Sequence, residues 1–281
     1  MNFLKILTVI TIIATISVAQ TWNGAANTDW YNAEQNEFTI ATAEQLAGLA
    51  TLVNGGNNLK NKTITLQNNI FLNDTTDWQN WENAAPANTW TAIGKDTNAA
   101  FRGTFDGAGH TVSGVYINNA SADNQGFFGF VNTDGVVKNL SVIASFVKGR
   151  KNVGIVVGNN NSLVDNCHSN GKTAGKQSVG GIVGYNSGET TNSSSAGAVY
   201  GKGGKFYGGF VGGNDQGKIS NSSSSASLGG RGMFFGSFVG GNDGKISNSY
   251  STGEVNARGM FSGGFVGANT RNGTVIDSGK R

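Results

Sequence analysis

The sequence predicts an all-β fold, a right-handed parallel β-solenoid with one short N-terminal capping helix. Three observations carry that expectation. The first is an internal repeat. An apolar-Val-Gly element recurs with its glycine at 158, 184, 212, 240 and 267, and Gly126-Phe127-Phe128-Gly129 is a divergent earlier copy; the spacings are 29, 26, 28, 28 and 27 residues. Such a period over several copies marks a repeat array. The second is the content of each repeat. Gly, Ser, Asn, Val and Phe disfavour helix. They form strand-sized pieces, such as Gly209-Phe210-Val211 and Lys245-Ile246-Ser247, parted by Asn-Asp and Asn-Gly turn chemistry. The third is composition. The 281 residues include 44 Gly but only Pro86 and Cys167 of their kinds. Collagen and a disulfide scaffold are thereby excluded. With 13% charged and 37% hydrophobic residues, the chain is also unlike a disordered one.

A repeat of 26 to 29 residues suits one coil of three short strands and three turns. Stacked coils rise by ~4.8 Å, the spacing of paired strands, so equivalent residues line up in columns. Propeller blades are longer and leucine-rich repeats carry a Leu consensus, so both fit less well. One column is Asn132, Asn160, Asn186, Asn214, Asn242 and Asn269. A second is Asn139, Asn166, Asn192, Asn221 and Asn248, ending in Asp277. Asparagines stacked at a bend can hydrogen-bond along the array. Two residues before the second column stand Val137, Val164, Thr190, Ile219, Ile246 and Val275; seven after it stand Phe146, Thr173, Val199, Leu228 and Val255.

In chain order, residues 1–19 read as a signal peptide. Lys5 gives the basic start, residues 6–16 are apolar apart from threonines, and Ser17-Val18-Ala19 is a small-x-small cleavage site. Cleavage removes Lys5 from a chain of net charge +3, leaving +2, too little to argue for nucleic acid. No later apolar run reaches membrane-spanning length, so no span is expected in the mature chain. Residues 20–123 are assigned to an N-terminal cap and the first coils, and 124–281 to the repeats. Thr42 and Gln45 form a capping box, followed by Leu46, Leu49, Ala50 and Val53 on one face and stopped by Gly55-Gly56. A solenoid needs such a cover over its open core. Residues 62–66 alternate and read as the first strand. Residues 101–117 hold the turn dipeptide Asp106-Gly107 between alternating pieces. Residues 73–98, rich in Asn and carrying Trp78, Trp81, Trp90 and Pro86, read as an insertion.

The copies Gly208-Gly209-Phe210-Val211-Gly212, with Gly217-Lys218-Ile219-Ser220-Asn221-Ser222, and residues 236–253 (GSFVGGNDGKISNSYSTG) resemble the GLUG motif. The resemblance covers residues 126–281, with Phe or Ile where the motif name has Leu. It implies a secreted or surface-attached bacterial protein, adhesin-like, with no catalytic residue to carry over.

The chemistry-bearing residues are few. Only His110 and His168 are present, so two-His metal motifs are unavailable. Cys167 and His168 are adjacent and point to opposite faces if they lie in a strand. Cys167 aligns with Ser141, Ser193, Ser222, Ser249 and Ser278, which marks it as a small packing residue. Asp215 and Asp243 align in Asn-Asp turns, and turn formation is their simplest role. No metal or cofactor is expected, nor an enzyme. The informative columns are Phe206, Phe234 and Phe261, and Lys176, Lys202, Arg231 and Arg258; Lys138, Lys218 and Lys245 form a second partial basic column. Rings one coil apart would offer a platform for sugars, with Lys202, Arg231 and Arg258 beside it for hydroxyls or acidic groups. The expectation is a secreted or cell-surface binding or adhesion module for polysaccharide or another surface component. The alternatives are a carbohydrate-active β-helix enzyme, which a paired-carboxylate cleft would favour, and a plain structural stalk. The last copy lacks the strand equivalent to Gly253-Glu254-Val255, so its open ladder is expected to allow end-to-end self-association.

Overall fold

The computed structural model describes residues 21–281, and the predicted signal peptide lies outside them. The described chain is a parallel β-solenoid of about nine turns. One wall is built from Glu37–Ile40, Thr63–Leu66, Thr104–Asp106, the starts of Val136–Lys148 and Leu163–Gly180, then Glu189–Thr191, Lys218–Ser220, Lys245–Ser247 and Thr274–Ile276. Each pairs in parallel with the next. A second sheet stacks Phe128–Val131, Val157–Asn160, Val183–Asn186, Val211–Asn214, Val239–Asn242 and Val266–Asn269, also in parallel.

The N-terminal end is closed as the capping box predicts. The helix is Ala43–Asn54; Thr42 accepts from the Gln45 backbone N–H and the Gln45 side chain reaches back to the cap. Leu46, Leu49 and Val53 are fully buried against the core. Gly48 is required there: a Cβ would lie 1.8 Å from the Asn27 carbonyl, where residues 21–36 cross the helix. The first strand is Glu37–Ile40, ahead of the predicted one, which becomes the second rung. Glu37–Ile40 alternates exposed and buried like its neighbour, but at four residues it carries a short signal.

Asp106-Gly107 does begin a turn, completed by Ala108 and Gly109 at positive φ. No hairpin forms, since Thr104–Asp106 and Thr111–Ser113 both pair in parallel with Val136–Lys148. The Trp-rich insertion folds back on the wall. Trp81 packs with Tyr116 and Phe146 in a small cluster of its own, and Trp90 stacks on Phe127 in the main core. Lys172 donates to the Gln79 carbonyl, and Lys202 pairs with Glu82 at 3.2 Å.

The apolar column Val137, Val164, Thr190, Ile219, Ile246 and Val275 is in register, and all but Val275 are buried. Thr190 fits there because its hydroxyl donates to Asn186. Four column assignments shift in the early coils. Val131, not Asn132, pairs with Asn160. Leu140, not Ser141, stands opposite Cys167. Val147, not Phe146, stands opposite Thr173, because a bulge inserts Ala144 between the two pairings. Lys138 lies with Asp106 and Asp165, two residues along the strand from the Lys218 and Lys245 column, whose place in this coil Val136 takes.

The asparagine columns differ in kind. Asn160, Asn186, Asn214, Asn242 and Asn269 form a ladder, each amide donating to the next at 2.8 Å, and the first four are buried. Asn139, Asn166, Asn192, Asn221, Asn248 and Asp277 hold left-handed φ between 46° and 53° at an outer corner. Asn and Asp adopt that region more easily than other residues with a Cβ. The residue after each corner resumes the stack through its side chain. The backbone N–H of Cys167 donates to the Ser193 hydroxyl at 3.0 Å, Ser193 to Ser222 and Ser222 to Ser249 at 3.2 Å, and Ser249 to Ser278 at 3.0 Å.

Candidate functional site

The Phe206, Phe234 and Phe261 column lies outside the main core. Phe206 and Phe234 are half-buried, and Phe261 is 53% exposed. They stack one per coil, with centroids 5.4 and 5.3 Å apart and planes within 15°. Two further stacks, Tyr207 with Phe235 and Phe210 with Phe238 and Phe265, face inward. The expected platform is therefore revised in one respect. A sugar sandwiched between two rings needs roughly 3.5–4 Å on each side, far more than this gap. The column offers a ribbon of ring edges, and only its end rings keep an open face.

The open face at one end belongs to Phe206, and a groove lies beside it. Phe206 sits in the left-handed region at φ 64°, as do Asn124, Asn152 and Ser178 at the same corner of earlier coils. A residue at this corner leans over the strand of the next coil: a Cβ on Gly241 would lie 2.4 Å from the Phe206 ring, and one on Gly213 would meet Ser178 at 3.3 Å. Along that strand position run Phe130, Asn159, Tyr185, Gly213, Gly241 and Ala268. Two small residues, Ser178 and Gly213, thus meet at one level, with Tyr185 on one side and Phe206 on the other. The result is a groove of about 300 Å³, also lined by Gln177, Asp215, Asp243 and Thr270.

Tyr185 donates its hydroxyl to the Asp215 carboxylate, and its phenol is pushed up to a pKa of about 12, first by burial and then by that bond. Asp243 accepts from Thr270 and from Asn272. Asp215 and Asp243 hold the stack through their backbones, each N–H donating to the carbonyl of the Asn one coil back, at 2.8 and 2.7 Å. Their turn role is present, and their side chains also line the groove.

The predicted cations do not join this groove. Lys202 is engaged by Glu82, and neither Arg231 nor Arg258 lines it, although the two arginines are paired in register and exposed. Lys176 falls where the register between coils shifts. Cys167 is fully buried and burial pushes its thiol up to about 12, while His168 faces outward, bonded to Ser194. The two do not meet. Among the described residues no group of three His, Cys, Asp or Glu is placed to hold a metal ion, and no helix is long and apolar enough to cross a membrane. Sequence reasoning singled out Phe206 but missed Tyr185, whose signal is faint: an aromatic where later copies carry Gly213 and Gly241.

Fold and surface together define a class, a parallel β-solenoid with an aromatic ribbon leading into a polar groove. Within it, no protein-family model matches the chain. Over 155 residues it is 34% identical to halomucin of Haloquadratum walsbyi, covering 54% of this chain and 2% of that protein. Over 80 residues it is 37% identical to a candidate Gly-rich membrane protein of Evansella cellulosilytica, covering 27% of this chain and 9% of that one. The chain thus spans a small fraction of the length of both relatives. A crystal structure of a candidate immunoglobulin A1 protease from Bacteroides ovatus matches with a TM-score of 0.66 at 19% identity, over 89% of this chain and 76% of that one. At that identity the likeness shows the fold alone.

Proposed function

We propose that this chain is an exported β-solenoid that binds polysaccharide at or near the cell surface, as a non-catalytic adhesion module of the GLUG-repeat type. The observation that carries this reading is the Phe206, Phe234 and Phe261 ribbon, three large apolar rings held outside a core that is already filled. Exposed aromatics grouped on one face mark an interaction surface, and ring edges and faces suit the apolar C–H faces of sugars. The similarity to halomucin and to a Gly-rich membrane protein supports a surface location. Arg231 and Arg258 would add contacts to acidic polymers. The test is retention of the mature chain by insoluble and soluble polysaccharides, with the variant Phe206→Ala/Phe234→Ala/Phe261→Ala. Retention should fall at least tenfold with the β circular dichroism unchanged. Retention unaffected by the triple variant would remove the ribbon from the site.

One observation favours a second reading. Asp215 and Asp243 line a single groove from equivalent positions one coil apart. The two come from neighbouring rungs of the stack, ~4.8 Å apart along it, and a closely spaced carboxylate pair is what a retaining glycosidase uses. A glycosidase acting there would release reducing ends from a bound glycan, and Asp243→Asn would stop it.

A further inference from the structure

We infer that the groove between Tyr185 and Phe206 is a subsite for one neutral hexopyranose unit of a glycan. The assignment rests on the polysaccharide-binding reading and names the ligand chemistry of its most enclosed part. The shape comes from the packing. Ser178 and Gly213 leave one level of the outer face empty, the Tyr185 side chain closes one side, and the free face of Phe206 closes the other. A volume of about 300 Å³ lies at the small end of ligand pockets and matches a single ring rather than a longer segment.

The chemistry of the lining selects the ligand. Phe206 supplies an apolar face for the ring C–H groups. The Asp215 oxygen not engaged by Tyr185, and the Asp243 oxygen not engaged by Thr270 and Asn272, are acceptors that take hydroxyl donors. Gln177 and Thr270 add amide and hydroxyl groups. Two carboxylates and no lining cation repel an acidic sugar, so a uronate is disfavoured here even though Arg231 and Arg258 stand elsewhere on the surface. Tyr185 fixes the Asp215 carboxylate in place, which makes it a positioning residue for that acceptor.

The test uses the mature chain and five probes: laminarin, dextran and xyloglucan as neutral glycans, polygalacturonate and alginate as acidic ones. Binding is measured by affinity electrophoresis and calorimetry at low and high salt. Gly213→Val fills the empty level, at a position where the previous coil already carries Tyr185. It should weaken neutral-glycan binding at least tenfold. Asp215→Asn should weaken it several-fold with little change in melting temperature, and Tyr185→Phe by less, through the same acceptor. These two keep the assignment testable if Gly213→Val fails to fold. Asn221→Gly, at the outer corner and outside both the ribbon and the groove, should change it less than threefold. If the ribbon variants abolish binding while Gly213→Val and Asp215→Asn do not, polysaccharide binding stands and this subsite is wrong. Preference for polygalacturonate or alginate that persists in Arg231→Ala/Arg258→Ala also overturns the subsite. A cationic polymer such as polylysine displacing the neutral glycans from wild type but not from Asp215→Asn would reassign the groove to cations. Failure of all five probes to bind would remove the polysaccharide reading itself.

Discussion

Two corners of this solenoid carry asparagine in coil after coil, and they do so for different reasons. At the inner corner, Asn160, Asn186, Asn214 and Asn242 are buried, and each of Asn186, Asn214 and Asn242 both accepts from one neighbour and donates to the next. At the outer corner, the Asn139 to Asp277 column is set by backbone conformation. Its side-chain contacts are uneven and lie in solvent: Asn166 reaches Asn139 at 2.9 Å and Asn192 turns aside to Asp165, while Asn221 and Asn248 reach their neighbours at 3.3 Å. The inner column is an energetic requirement on hydrogen bonding, because a buried amide without a partner loses its hydration. The outer column is a conformational requirement that glycine would also meet. A repeated residue type therefore does not identify the force that keeps it.

The contrast can be broken in several ways. The largest effect should come from the apolar column beside both corners. Ile246→Asp places an unpaired charge among fully buried neighbours and should cost more than about 4 kcal/mol, read as loss of the cooperative melting transition. An unchanged melt would place Ile246 outside the core. Asn214→Leu comes next. It strips the donor from Asn242 and the acceptor from Asn186, and leaves the Gly217 carbonyl without its side-chain partner. About 2–4 kcal/mol should be lost in a denaturant titration, and a loss below half a kcal/mol would mean the ladder is replaceable by packing.

Cys167→Ser should cost about 1 kcal/mol or less, since Ser193, Ser222 and Ser249 already occupy the column. Native Cys167 should resist alkylation at pH 8, because burial pushes its thiol up to about 12. Rapid labelling of the folded chain would contradict that burial. The smallest effect belongs to the outer corner: Asn221→Gly should move stability by about half a kcal/mol or less in either direction, relief of the positive φ offsetting the added freedom of the unfolded chain. A loss matching that of Asn214→Leu would erase the distinction between the corners.

Much of this was legible in the residues. The capping helix was, because Thr42, Gln45 and the Leu46, Leu49 and Val53 stripe act within a few turns of one another. The late columns were, because coils from 189 onward repeat with few irregularities. The early register was not: Leu140 and Val147 replace Ser141 and Phe146 because an ungapped comparison does not see the bulge at Ala144, and because Leu140 fills by size the place that serine later fills by hydrogen bonding. The groove was not legible either. Ser178 packs on Gly213 in the following coil, a contact between residues that no local pattern links.

The sequence by itself determined the period, and with it the parallel stack. A 26- to 29-residue spacing of strand-forming pieces leaves each piece one partner type, its own copy in the next coil. Only the tertiary structure decided which columns face inward, which asparagines are buried, and which phenylalanine keeps a free face. Repetition along one axis fixes what lies above and below a residue. The direction its side chain takes depends on the left-handed corners between strands, and those are settled when successive coils pack on each other.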